Sequence, residues 1–426
     1  MTAHLPIATV ARRSVSTSGS LPLIVQSHLR WDFVWQRPQQ LLSRMAATAP
    51  VLFVEEPLVL DDVRGERLGI SEPVPNVFRV VPRLPGYLRG DYDRSVATVR
   101  ALVQHAIGKD GPLAGRFSNA VQWFYTPMPA PAMLGAFNEL GVVYDCMDEL
   151  AQFRFAPADL GAREQLLLDN ADVVFTGGYR LYESKRRFHD NVHFFGCGVD
   201  SQHFAAARAA ATAVPADVPT DRAHVFGYYG VIDERLDYGL IGRLATENPD
   251  ATVVMVGPVV KVDPRDLPQA PNLHWLGQRD YTQLPAYVKA FDVCLMPFAL
   301  NEATEYINPT KTLEYMAAGK PIVSTAVADV VRNFTPVVSV ASTAEDFVAL
   351  ARQAATAPNA ELIARGLEQA TNASWDSTVA QMRRLIVNAV RESETRVDES
   401  AAAPVWRATA AGSSHAVAGA KEELSA

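Results

Sequence analysis

The chain has 426 residues, more than one hydrophobic core usually organises, so two domains are expected, each large enough to bury its own core. Its 39 Lys and Arg against 47 Asp and Glu give a formal net charge of −8, which argues against a nucleic-acid binder and leaves room for a local basic pocket that takes a small anion. Cys146, Cys197 and Cys294 are far apart with no CxxC pair, so neither a zinc site nor a disulfide framework is suggested, and a reducing cytoplasm fits.

The first twenty residues, MTAHLPIATVARRSVSTSGS, have no sustained apolar run behind their arginines and read as a disordered leader rather than a signal peptide. No run of about 18 apolar residues occurs, so nothing is expected to span a membrane. Peripheral association with the inner face of a membrane stays open, although no Lys/Arg-rich amphipathic helix stands out.

LPLIVQSHL and PVLFVEEP read as short buried strands, with RPQQLLSRMAAT between them as a helix. The alternation continues through NAVQWFYTP, PAPAMLGAFNEL, GVVYDCMDEL, AREQLLLDNA, DVVFTGG and YRLYESKRRFH to NVHFFGCGVD, and gives an N-terminal domain over 21–204. The Ala- and Pro-rich stretch 205–221 has no strong periodicity and reads as a linker. The same alternation then restarts with HVFGYYGVI, DATVVMVGP, NLHWLG, FDVCLMPF, KPIVST and TPVVSVA as strands, giving a second domain over 222–394 with WDSTVAQMRRLIVNAV as its closing helix. Residues 395–426, rich in Ala, Ser and Gly, read as a disordered tail. The fold class is therefore α/β: two tandem Rossmann-like, doubly wound domains whose strand C-termini face a shared cleft, the default place for a ligand.

One stretch, YINPTKTLEYMAAGKPIVST, carries the sharpest chemistry. A helix is expected from Pro309, with Asn308 as its cap, Gly319 as its stop and Pro321 preventing continuation. Leu313, Met316 and Ala317 form a buried stripe, while Lys311 and Glu314, three apart, share a neighbouring face. The helix start with Lys311 suits a phosphate, and Glu314 one turn deeper suits the two hydroxyls of a ribose. The plainer reading is an exposed i,i+3 ion pair.

This stretch resembles the nucleotide-sugar signature of retaining glycosyltransferases with two Rossmann-like domains (GT-B), the group 1 or family 4 type. The runs FGYYGVIDERLDYGLIGRLA, DATVVMVGPV and NLHWLGQRDYTQLPAYVKAFDVCLMPF follow that family in order and distance, and WDFVWQRPQQLLSRMA, WFYTP and VVYDCMDEL resemble a bacterial polysaccharide-synthesis subgroup. The resemblance runs from about Leu21 to about Ala389. It implies a UDP- or GDP-sugar donor on the second domain, a glycan or lipid-linked acceptor approaching from the first, and neither a cofactor nor a metal. Glu314 would hold the ribose, and Asn308, Pro309, Thr310, Lys311 and Leu313 would line the donor site. Arg235 would reach the diphosphate, its plainer reading being an ion pair with Asp233 or Asp237.

Many relatives carry a first Glu eight positions before the second, where Tyr306 stands here, so Glu302 and Glu305 become candidates to approach the donor sugar. Relatives also place a His at the strand end that reads WFYTPMP here, which makes His28 the candidate to line the cleft, joined by Trp31, Asp32 and Arg37. Asp145 and Asp148 are similarly placed, with turn and cap chemistry as their plainer reading. The resemblance thus implies sugar transfer with retention in bacterial exopolysaccharide or envelope glycan synthesis. Two alternatives are a nucleotide-sugar epimerase on the same fold and a binding protein that has lost catalysis.

Overall fold

The structure, a computed structural model, describes residues 21–153 and 156–402. The expected leader lies outside the described residues, as does the expected tail from residue 403 onward.

In the N-terminal part the chain runs β1 (Leu23–Ser27), α1 (Arg37–Met45), β2 (Val51–Glu55), β3 (Leu58–Leu60), β4 (Arg67–Val74), β5 (Val77–Pro85), α2 (Tyr92–Ile107), β6 (Val121–Phe124), α3 (Ala130–Met133), β7 (Gly141–Cys146), α4 (Leu160–Asn170), β8 (Val173–Thr176), α5 (Tyr179–Lys185), β9 (Val192–Phe194) and α6 (Ser201–Ala205). The strands form one sheet in the order β3-β5-β2-β1-β6-β7-β8-β9, parallel throughout except that β4 pairs antiparallel with β5. That hairpin is passed over by a search for apolar runs, because β4 is mostly exposed and carries Pro73, as edge strands do. The central strands are buried on both faces, which is why LIVQS and VLFVE read as continuous apolar runs rather than alternating ones.

The second part continues with β10 (His224–Tyr229), α7 (Tyr238–Glu247), β11 (Ala251–Val256), β12 (Leu273–Gly277), α8 (Leu284–Ala290), β13 (Val293–Met296), α9 (Glu302–Glu305), α10 (Lys311–Ala317), β14 (Ile322–Thr325), α11 (Ala328–Phe334), β15 (Val338–Ala341), α12 (Ala344–Thr356), α13 (Ala360–Asn372) and α14 (Trp375–Ala402). Its six strands are all parallel, in the order β12-β11-β10-β13-β14-β15.

Two expectations are corrected. The stretch 205–221 is not a loose connector: Ala207 and Val218 are buried in the second domain's core, and Asp217 accepts from Arg279 Nη2 at 2.6 Å. Small residues can pack without showing a helical stripe. The closing helix, in turn, leaves the second domain. Trp375, Val379, Met382, Ile386 and Val390 of α14 pack on one face of the first sheet with Val25, Phe53, Trp123 and Phe175, and the helix runs through Ala402 into what reads as tail. The chain therefore crosses between domains twice, and the crossings lie side by side: the Val199 N–H donates to the Ala373 carbonyl at 2.8 Å, beside a Val199–Ser374 bridge.

Candidate active site

Each sheet has one strand flanked by neighbours on opposite sides of the winding: β1 between β2 and β6, and β10 between β11 and β13. The C-terminal ends of such strands are topological switch points, where open α/β sheets leave a crevice.

At the end of β10 the chain turns at Gly230, whose φ of +141° is one that L side chains rarely adopt. A Cβ there would lie 2.8 Å from Lys311 Cε and 2.9 Å from the Tyr228 hydroxyl, so the space a side chain would fill is taken by Lys311. The Lys311 ammonium is 5.3 Å from the centroid of the Tyr228 ring and 5.4 Å from that of Phe298, resting against two aromatic faces. Burial and the Arg235 guanidinium push it down to about 8, against the opposing pull of Glu314 and Asp233. A cation disfavoured by its surroundings in this way gains most when an anion arrives.

Arg235 bonds to Asp233, Nε to Oδ1 at 3.0 Å and Nη2 to Oδ2 at 2.8 Å. The ion pair allowed as its plainer reading is therefore present, and it fixes the guanidinium beside Lys311. Asp237 instead caps α7, accepting from the Leu240 N–H at 2.9 Å. Glu314, buried within α10, accepts a hydrogen bond from the Tyr229 hydroxyl, and Tyr229 in turn stacks on Phe204. Burial pushes the Glu314 carboxyl up, while the Tyr229 bond and Lys311 pull it down. Among the described residues its second oxygen, Oε1, makes no hydrogen bond.

The helix carrying both groups starts two residues later than expected, at Lys311, and Asn308 does not cap it. Asn308 Nδ2 donates instead to the Gly177 carbonyl of the first domain at 3.1 Å, and its own carbonyl accepts from Cys197 Sγ at 3.0 Å. A contact between domains has taken the side chain that capping needs, leaving Pro309 and Thr310 as the lead-in. The stop is as expected: Gly319 has φ +70°, and the Gly319 and Lys320 N–H groups donate to the Met316 and Tyr315 carbonyls at 2.9 and 3.2 Å. Leu313 is buried in the second domain's core, so its part in a donor site is to seat the helix.

The acidic candidates before α10 stand elsewhere. Glu302 is exposed at the start of α9, and Glu305, also exposed, is 3.5 Å from Arg180 of α5. Tyr306 packs against the core of the first domain, so the position where relatives carry a Glu closes the loop onto the opposite wall.

Across the cleft, His28 follows β1, and its Nδ1 is buried without a hydrogen-bond partner. Burial, then the charge of Lys261 in the second domain, push the imidazole down to about 4, so it is neutral at neutral pH. Asp148 is pushed up by burial and feels Arg235, Asp233 and Lys261, which sets it opposite the same cations. Lys261 lies 4.9 Å from the Phe153 ring centroid and 3.9 Å from Glu234. Asp32 is instead exposed and paired with Arg79 of β5. Trp31 is buried, edge-on to Phe53 at 5.2 Å. Arg37 and Asp145 form a buried pair at 2.9 Å, and Arg37 Nη1 also donates to the Phe195 carbonyl at 2.9 Å. The pair ties α1 to β7 and to the crossover between domains.

The sequence reading missed Tyr229, Gly230 and Lys261. For Gly230 a signal exists, a glycine directly after the apolar run of β10; Lys261, in an irregular loop, has none. Among the described residues no group of three or more His, Cys, Asp or Glu is placed to hold a metal ion, and no helix is long and apolar enough to cross a membrane.

Residues 240–357 match the family model for glycosyl transferases group 1. The putative teichuronic acid biosynthesis glycosyltransferase TuaH of Bacillus subtilis (strain 168) is 27% identical over 218 residues, covering 47% of this chain and 54% of that protein, so the match spans about half the relative's length. Among solved structures, sucrose-phosphate synthase from Thermosynechococcus elongatus superposes with a TM-score of 0.62 at 16% identity, over 86% of this chain and 98% of that one. HepE from Anabaena, in complex with UDP and glucose, gives 0.60 at 12% identity over 86% and 99%. An E. coli trehalose-6-phosphate protein bound to UDP-2-fluoro glucose gives 0.60 at 14% over 87% and 99%. The chain has a GT-B fold, and residues 240–357 of its second domain are similar to the glycosyl transferases group 1 family.

Proposed function

We propose that the protein is a glycosyltransferase that moves a sugar, with retention, from a UDP- or GDP-sugar to a hydroxyl of a glycan or lipid-linked acceptor in bacterial exopolysaccharide or envelope glycan synthesis. The observation that carries this reading is the Lys311 ammonium at the switch point of the second sheet, set beside Gly230 and Arg235, with Glu314 one turn deeper. The UDP bound in HepE and the UDP-2-fluoro glucose bound in the E. coli protein support the donor class, and the teichuronic acid role named for TuaH supports the kind of product.

In this reading Lys311 and Arg235 offset the charge that develops on the departing diphosphate, work that a metal performs in other enzymes. The bond from the anomeric carbon to the β-phosphate oxygen breaks as the bond to the acceptor oxygen forms on the same face. The acceptor proton passes to the departing phosphate. No protein base is required, which accords with Asp145 being paired to Arg37, Asp32 to Arg79, and Glu302 and Glu305 lying exposed. Incubation with a panel of UDP- and GDP-sugars and acceptor glycans tests this. Glycosylated acceptor supports transfer, an epimerised sugar supports the epimerase, and saturable binding without turnover supports a binding protein.

A further inference from the structure

The first sheet has its own switch point, between β1 and β6, and a small recess opens there that the donor chemistry does not use. It lies over the ends of β1 and β2 and under the start of α2, with Gln26, Ser27, Glu56, Tyr92 and Thr126 among its polar lining and Val54, Val96 and Met133 as its apolar wall. Its interior is about 20 Å³, room for roughly one water molecule or one hydroxyl group. The lining is unevenly satisfied. Ser27 Oγ donates to the Leu29 carbonyl at 3.1 Å, and Glu55 is held by Arg30 at 3.0 Å and by the Trp31 N–H at 2.9 Å. Gln26 is 2% exposed, yet its Nε2 is buried with no acceptor. Among the described residues the Glu56 carboxylate and the Tyr92 hydroxyl make no hydrogen bond, and Glu56 acts on Tyr92 through its charge. An unpaired buried amide donor costs about 1–3 kcal/mol, so a group that accepts from it is missing.

We propose that this recess is a hydroxyl-recognition subsite for a neutral, polyhydroxylated acceptor: one hydroxyl or hydroxymethyl group enters it, its oxygen accepting from Gln26 Nε2 and its O–H donating to Glu56. The chemistry fits a sugar and not an anion, because the charged residues that line the recess, Glu55 and Glu56, are both acidic, and the neighbouring Arg30 guanidinium is already held by Glu55 and the Glu56 carbonyl. The place fits as well, since Gln26 lies near the C-terminal end of β1, two residues before His28. The role as acceptor rests on the glycosyltransferase reading above; the binding of a sugar hydroxyl does not.

The test uses the full chain and a panel of methyl glycosides, with binding read by saturation-transfer NMR on the wild type, Gln26→Leu and Glu56→Leu. The thermal shift produced by UDP is measured alongside. Binding of at least one glycoside by the wild type, weakened about tenfold or more in both variants while the UDP shift is kept, is the expected result. Equal binding in all three proteins, or no glycoside bound by the wild type, overturns the proposal. Glu56→Leu, at the half-buried rim, carries the test should Gln26→Leu fail to fold. Glycoside binding that depends on Gln26 in a protein without a UDP shift leaves the subsite standing and removes the donor reading instead.

Discussion

The two switch points are built on the same parallel-sheet plan and end in opposite chemistry. At β10 the crevice gathers formal charges, with Arg235, Glu314 and Asp233 close enough to act on Lys311. At β1 the groups are mostly neutral or acidic: the imidazole of His28, the amide of Gln26, the phenol of Tyr92, Glu55 paired to Arg30, and Glu56, whose carboxyl burial pushes up while Arg30 pulls it down. The contrast is what a donor with a diphosphate and an acceptor with only hydroxyls would require of two facing walls. In the proposed reading, binding energy would come from ionic contacts in the second domain and from hydrogen bonds in the first.

The contrast is broken most severely at Lys311. Lys311→Met should weaken UDP or GDP binding by about a hundredfold or more, the scale of removing one pre-placed charge-stabilising donor, as read by calorimetric titration. Its melting temperature should stay the same or rise, because the variant no longer buries a disfavoured cation. Glu314→Gln should cost about tenfold to a hundredfold in nucleotide affinity in the same titration, since one hydrogen bond to a charged group is worth about 1.5–3 kcal/mol. The pH dependence follows from the sign of the Lys311 shift. The ammonium is present below about 8 and lost above it, so nucleotide affinity falls as pH rises through 8, by up to about tenfold per unit. Arg235→Gln removes a like charge and moves that fall to higher pH, while lowering affinity at pH 7. On the opposite wall, His28→Gln should leave nucleotide affinity within about threefold, because no charge is lost there. The smallest effect is expected from Asp32→Asn, which removes an exposed ion pair worth about 0–1 kcal/mol and should leave affinity and turnover unchanged.

Much of this plan is legible in the sequence, because strands buried on both faces leave unbroken apolar runs and the helices between them leave periodic ones. Lys311, Glu314 and Gly319 were legible for a similar reason: their relation is local, fixed by helical spacing and a glycine stop. What escaped depends on partners far along the chain. Asn308 carries every local mark of a cap, but its partner is the carbonyl of Gly177. Asp145 reads as a cleft carboxylate until Arg37 from α1 reaches it, and the apolar stripe of α14 announces a helix without naming the sheet it covers. Gln26 gives no sequence signal, since a polar residue within an apolar strand gains meaning only when its amide proves to be unpaired.

The central claim is that the second domain's switch point holds a nucleoside diphosphate through Lys311. A thermal-shift comparison of the wild type and Lys311→Met with UDP, GDP and ADP tests it most directly, because a ligand that binds the folded state raises the melting temperature by mass action. A rise with UDP or GDP in the wild type that disappears in the variant is the predicted result. An equal rise in both proteins, or none in the wild type, would contradict it.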